Sequence, residues 1–453
     1  MSDEAQDAQA AQTGATGTLL FDPQELAPAL EAGAQPMWRG RVDLLSGVLV
    51  EATGVPAAMG ELCRIERTRG GAIDAEVVGF RGPSTLLMPH GDLEGIGPRQ
   101  VVTALGRPFA VPVGDELLGR VLDGFGAPID GGPKLPRSLE HRSVRGNAPD
   151  PLARRPITTP LQTGLRAVDG LLTLGHGQRM GIFAGSGVGK STLLGQITGG
   201  TDADVLVVAL VGERGREVRG FLDDVLGPAR AKAVTVVATS DRPPIERFLA
   251  PFVAVTAAEH FRDRGKNVLL VMDSVTRFAA ASREIGLAAG EPPTVRGYPP
   301  SFFATVPKLV ERLGNAATGS ITGLFTILLD GDDPNEPVAD TLRGLLDGHL
   351  FLSRDLANRG NFPAIDPLAS LSRLMPQIAT PEHLAAAQAV RRDLAAYAEG
   401  RDLVEIGAYR PGTNPELDQA MVRMPRIESF LRQTTDEHAS LDTTLADLTG
   451  LCA

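Results

Sequence analysis

Cysteine and aromatic residues are scarce in this 453-residue chain. Its two cysteines, Cys63 and Cys452, lie near opposite ends. They make neither a metal-ligand spacing nor a disulfide framework, and they fit a reducing cytoplasm. Aromatics are 4 % of the residues, with one Trp and three Tyr, which argues against a surface built on base stacking. A basic excess is also missing. The net charge is −11 and no Lys or Arg precedes Arg39. That predicts no nucleic-acid partner, and neither a secretory n-region nor an Arg-rich transit peptide. No apolar run reaches the roughly 18 residues of a membrane-spanning helix.

Apolar residues are plentiful, at 43 %, and the length suits about two to three domains. Residues 1–17, small and polar, read as a disordered tail. From 18 to 108 short apolar runs alternate with glycine, as in "GRVDLLSGVLVEATG" and "AIDAEVVGFRG". They predict the strands of a small β-barrel, with a short helix in "FDPQELAPALEAG" ahead of them. Residues 109–149, rich in Gly and Pro, read as a connector along the surface. From 150 to 375 continuous apolar runs such as "RMGIFA", "DVLVVALVG", "AVTVVATS", "NVLLVMD" and "ITGLFTILLD" alternate with helical stretches. That rhythm implies an α/β core with a mostly parallel sheet covered on both faces. From 376 to 453 the pattern is helical, and a C-terminal helical domain is expected.

The core carries "AGSGVGKST", residues 184–192. Gly189, Lys190 and Ser191 form the GK[ST] end of a phosphate loop, with Ala184 where the usual pattern has its first glycine. Backbone N–H groups of Gly185, Ser186, Gly187 and Val188 can curl round phosphates. Lys190 can reach the β- and γ-phosphates, Ser191 can hold Mg²⁺, and Thr192 continues into a helix whose positive end faces the anion. A strand before and a helix after supply the context that the motif needs. The predicted ligands are therefore ATP and Mg²⁺. Asp273 ends the apolar run "NVLLVMD" and suits the Mg²⁺ shell. Glu213, in "LVGERGREV", can orient an attacking water; on spacing alone it could equally pair with Arg214 or Arg216.

The combination of "AGSGVGKSTLLGQI", "VGERGREVRGFL", "ATSDRPPIERF", "VLLVMDSVTRFAAASREIGLAAGEPPTVRGYPPSFFA" and "NFPAIDPLASLSRLMPQI" resembles the type III protein-export ATPases. These energise flagellar and injectisome export and are similar to the catalytic subunits of rotary ATP synthases. The resemblance runs from about residue 18 to 435. It implies a β-barrel, a RecA-like core and a helical domain in each subunit of a homohexamer, with ATP between neighbours. It assigns Glu213 as the catalytic glutamate, with Arg214 beside it in the catalytic motif. Arg373 matches the arginine finger that reaches into the neighbour's site, the alternative being an ordinary surface salt bridge. Phe362 stands where tyrosine often stacks on adenine, and Tyr409 matches a second adenine wall.

The same resemblance implies partners. Residues 286–300 match a loop facing the central hole and a coiled-coil stalk protein. The segment 18–33, with Leu19, Leu20, Phe21, Leu26 and Leu30, matches a docking site for a stator-like regulator. Export-gate membrane proteins, export substrates and their chaperones follow, with a cytoplasmic location at the inner membrane. "GYPPS" and "GAYRPGTNPELDQA" favour the flagellar system over the injectisome. Three other readings are a rotary-synthase catalytic subunit, a termination-type hexameric RNA motor and a nucleotide-gated docking platform. The RNA motor lacks the basic, aromatic barrel that it needs: only Phe21, Trp38 and Phe80 are aromatic before residue 100.

Overall fold

The computed structural model describes residues 38–329, 331, 333 and 336–452. The tail, the short helix and the regulator segment read from residues 1–33 lie outside them.

Six strands open the described chain: β1 (Arg39–Ser46), β2 (Leu49–Thr53), β3 (Glu61–Ile65), β4 (Ile73–Arg81), β5 (Ser84–Pro89) and β6 (Val101–Pro108). They close in the order β1-β2-β5-β4-β3-β6. The alternation predicts this: Val42, Val50, Cys63, Ala75, Leu87 and Val102 point inward and form the barrel's own core.

The connector departs from the surface path expected of it. β7 (Ala110–Val113) pairs with β9 (Glu140–Ser143), and β8 (Val121–Asp123) joins the central sheet beside a core strand. Leu117, Val121 and Leu122 are buried. Arg120 fastens this strand through a two-pronged ion pair to Asp130, at 2.7 and 2.8 Å. Three residues are too few to show a period among so many glycines and prolines, so the strand is invisible to pattern reading.

Next come a small hairpin, β10 (Pro160–Leu161) with β11 (Leu174–Gly175), and then β12 (Arg179–Ala184), β13 (Val205–Val211), β14 (Ala233–Ala238), β15 (Asn267–Asp273), β16 (Gly314–Asn315), β17 (Ser320–Leu328), β18 (Gly348–Leu352) and β19 (Leu371–Ser372). The central sheet has the order β19-β18-β12-β17-β15-β13-β14-β8. β18, β12, β17, β15, β13, β14 and β8 run parallel, and β19 runs antiparallel at the edge. All seven residues of β13 are buried, as a strand covered on both faces requires.

One face of the sheet packs under the Pro244–Arg262 helix and its neighbours, in a core that also takes in Leu49, Leu62, Leu86 and Met88 of the barrel. The other face holds the Arg166–Leu171 and Lys190–Gly200 helices and the C-terminal bundle. That bundle consists of Pro381–Glu405, Pro415–Leu431 and Leu441–Cys452. Thr380 and Asn414 cap the first two helices by accepting from His383 N–H and from Glu416 and Leu417 N–H. A parallel sheet gathers all its strand ends of one kind on one side, so the loops after β12, β13 and β15 converge.

Candidate functional site

The phosphate loop leaves β12 at Ala184 and enters the helix at Lys190. Gly187 and Gly189 take positive φ, at 80° and 94°, where a Cβ would strain the turn. Ala184 has no such need. It is still a strand residue, paired with Leu328 and Leu352, and so the missing first glycine costs the loop nothing. Val188 is buried and anchors the loop to the core, while Ser186, Ser191 and Thr192 are exposed.

Three of the expected side chains meet beyond the strand ends. Lys190 Nζ bonds Asp273 Oδ1 and lies 3.7 Å from Glu213 Oε1. Asp273 is buried and also accepts from Thr326 Oγ1 at 2.7 Å. Thr326 belongs to β17 and has no motif to announce it. A cavity of about 290 Å³ opens here, lined by Ser191, Glu213, Glu217, Phe221, Asp224 and Asp273 among others. Burial, and after it the negative charge of Asp273, raises the pKa of Glu213 above the ordinary glutamate value, against the pull of Lys190.

Glu213 is not neutralised by its neighbours in the motif. Arg214 turns to Glu217 at 3.2 Å and Arg216 to the same carboxylate at 3.8 Å. Arg214 is two-thirds exposed, beside the cavity rather than in its lining.

A second cavity, of about 410 Å³, continues along the loop between Gly189, Thr192, Gln196, Phe362, Pro363, Gln433 and Thr434. A Cβ placed on Gly189 would come within 3.4 Å of the Phe362 ring. Phe362 is 41 % exposed, enough to offer its face to a base. Gln433 and Thr434 also line this cavity. Gln433 N–H donates to Phe362 O at 2.9 Å, and Gln196 Nε2 donates to Thr434 O at 2.9 Å.

Tyr409 does not reach this pocket. Its hydroxyl donates to Asp418 Oδ1, in the first turn of the Pro415–Leu431 helix, at 2.9 Å. The cavity is instead lined by Gln433 and Thr434, just after the bundle's second helix, where "RQTT" carries no sequence signal.

Arg373 is also kept from its own phosphate loop. It follows β19, which pairs with the start of β18, and its N–H donates to Asp347 O at 3.0 Å. Asp347 in turn meets Arg179, the first residue of β12. The loop begins at the other end of that six-residue strand, about 17 Å away at roughly 3.3 Å per residue. Arg373 is exposed there.

The loop expected at 286–300 begins as the last turn of the Val275–Ala288 helix. Beyond it Thr294 donates twice to Tyr298 O, at 2.9 and 2.7 Å, and Tyr298 is buried against Phe302. Val295 stays 58 % exposed, so the turn is anchored and presents its tip.

Known proteins match along most of the chain. The ATP synthase alpha/beta family nucleotide-binding domain matches residues 164–372, and the T3SS EscN ATPase C-terminal domain matches 379–450. The flagellum-specific ATP synthase of Bacillus subtilis is 50 % identical over 91 % of this chain and 94 % of the relative. The type 3 secretion system ATPase of Xanthomonas euvesicatoria is 51 % identical over 91 % and 93 %. The solved structure of the assembled ATPase EscN in complex with its central stalk EscO, from enteropathogenic E. coli, superposes with a TM-score of 0.85 at 44 % identity. It covers 91 % of this chain and 100 % of that one.

Proposed function

The chain belongs to the type III protein-export ATPases, ATP-hydrolysing relatives of the rotary ATP synthase catalytic subunits, and from that premise we propose how its residues divide the work. The observation that carries the reading is Lys190 held between Asp273 and Glu213 at the ends of adjacent strands. Four carboxylates line the phosphate cavity, so an incoming triphosphate needs cations to enter. Lys190 exchanges Asp273 for the β- and γ-phosphates.

Asp273 and Ser191, two hard oxygen donors on one wall of the cavity, suit Mg²⁺, which takes few protein ligands and completes its shell from water and phosphate. When bound, the ion neutralises charge on the phosphate oxygens. Thr326 orients the Asp273 carboxylate once Lys190 has turned to the phosphates. Glu213, a stronger base for its raised pKa, accepts a hydrogen bond from the attacking water and polarises it. The base lies in the cavity by Gly189, between Phe362 and Gln433–Thr434, and Tyr409 takes no part. Arg214 shields Glu217 at the rim.

The missing cation is Arg373 of a neighbouring copy. It faces away from its own phosphate loop, and a ring places it at the next one; six subunits close the ring by family resemblance. Residues 18–108, 109–149, 150–375 and 376–453 then act as barrel, connector, motor and helical domain. The loop at 286–300 faces a coiled-coil stalk; the similar EscN was solved in complex with its central stalk EscO. The first 33 residues bind a stator-like regulator. Hydrolysis releases export substrates from chaperones at a membrane export gate, which sets the enzyme in the cytoplasm against the inner membrane. Among the described residues no helix is long and apolar enough to cross a membrane. The flagellar system is favoured by "GYPPS" and "GAYRPGTNPELDQA". The test is phosphate release by Glu213→Gln rings that retain ATP: loss of turnover with binding intact is expected, and turnover at the parent rate overturns the assignment. Loss of swimming on gene deletion tests the flagellar reading.

A further inference from the structure

The start of β12 is as tightly built as its end is open. Arg179 grips Asp347 three times: through its backbone N–H and its Nε to Oδ2, both at 3.0 Å, and through a terminal nitrogen to Oδ1 at 3.2 Å. Its other terminal nitrogen bonds Glu311 at 2.7 Å. Asp347 N–H returns a bond to Arg179 O at 2.8 Å. Gln178 Nε2 adds Ser372 Oγ at 3.0 Å, and Ser372 Oγ donates to Thr173 O at 2.8 Å. Only then comes Arg373, whose N–H is held by Asp347 O. The finger's backbone is thus tied through Ser372 and its own N–H, while its guanidinium touches only Arg343 O, at 3.3 Å, among the contacts of the described residues.

We propose that Arg179 and Asp347 are positioning residues for the trans-acting Arg373: the bidentate pair fixes the peptide from which the finger extends. The proposal rests on the ring reading above. Arg179 and Asp347 are about one-fifth exposed. Burial works against the Arg179 charge, but the bonds and charges of Asp347 and Glu311 outweigh it and hold its pKa above the ordinary arginine value. Arg179 therefore stays charged, and its two-pronged grip on Asp347 is directional, as a bracket must be. A side chain whose tip must meet a phosphoryl oxygen in another subunit amplifies any drift of its own backbone. A misplacement of about 1 Å can cost roughly 10²-fold in rate.

The experiment is steady-state phosphate release from assembled rings of Arg179→Ala, Arg179→Lys and Asp347→Asn. The expected result is a kcat lower by about 10²-fold for Arg179→Ala, with KM for ATP unchanged because the phosphate loop is intact. Arg179→Lys recovers part of the rate. Arg179→Ala combined with Arg373→Ala is no slower than Arg373→Ala alone, since both remove one function. Mixing Arg179→Ala with Lys190→Ala restores turnover, and mixing it with Arg373→Ala does not. If Arg179→Ala fails to assemble, the near-isosteric Asp347→Asn decides. A wild-type kcat in Arg179→Ala or Asp347→Asn, beside a slow Arg373→Ala, overturns the bracket and leaves the ring reading standing. So does a double variant slower by the full Arg179→Ala factor. A wild-type kcat in Arg373→Ala overturns both.

Discussion

The two ends of the central sheet are built by opposite rules. Where the strands finish, charge is left unbalanced: Asp273 and Glu213 share Lys190, and burial with charge repulsion raises the Glu213 pKa. Glycines with positive φ leave the loop backbone bare, and cavities open on both sides of it. Where the strands begin, charge is matched. Arg179 is saturated by Asp347 and Glu311, and Ser372 and Gln178 close the remaining bonds. The first end can receive an anion only with added cations, and the second is suited to hold a cation still. In the ring proposed above, one chain would carry two halves of two different active sites, joined by the six residues of β12.

Removing the cation from the matched end should have the largest effect. Arg373→Ala rings should lose about 10³–10⁵ in turnover, the range of arginine fingers, while binding ATP normally. Phosphate release and nucleotide binding on the same sample check it. At the unbalanced end, Glu213→Gln should lower kcat by about 10²–10⁴, with ATP retained. The acid limb of kcat/KM sharpens the same point. A raised Glu213 pKa means that the free enzyme loses its base as pH falls through a value above the ordinary glutamate range. The limb should therefore sit higher than an exposed glutamate would place it, and be absent from the residual activity of Glu213→Gln.

Smaller effects separate the base pocket from its surroundings. Phe362→Ala should raise KM for ATP roughly tenfold, since base stacking is worth about 1–3 kcal/mol, whereas Tyr409→Phe should leave it unchanged. Far from both ends, Asp130→Ala leaves Arg120 mostly buried and without its carboxylate partner. It should cost about 3 kcal/mol of stability, read by denaturant unfolding. The hydrogen bonds from Arg120 hold the Asp130 pKa well below the usual carboxylate range. Its contribution is therefore present above the unfolded pKa and is lost only as strong acid protonates the folded carboxylate.

Much of this was legible in the sequence because the core strands are long, β-branched runs and the loop motif is local. "AVTVVATS" and "NVLLVMD" announce β14 and β15 within a residue or two. Lys190, Asp273 and Glu213 follow from their places at strand ends. The misses have physical reasons. β8 is three residues long, and its partner is more than a hundred residues away. β18, "GHLFL", is short and alternates in burial, so it lacks the signature of a central strand although it pairs with β12. Gln433 reaches the base pocket only because the bundle folds back on the Arg166–Leu171 helix, with Arg166 N–H donating to Gln433 Oε1 at 3.0 Å. Tyr409 satisfied a family pattern, but its hydroxyl found a nearer partner in Asp418.

If an active site needs two copies of the chain, mixed rings reveal it. Lys190→Ala lacks the receiving end and Arg373→Ala lacks the cation, so each alone is expected to be inactive. After subunit exchange a mixture contains interfaces where an intact phosphate loop meets an intact finger. Steady-state phosphate release from the mixture should exceed the sum of the two parents several-fold. Release no higher than that sum, from rings in which neither variant poisons wild type beyond its share, would show that Arg373 acts on its own phosphate loop and would contradict the account.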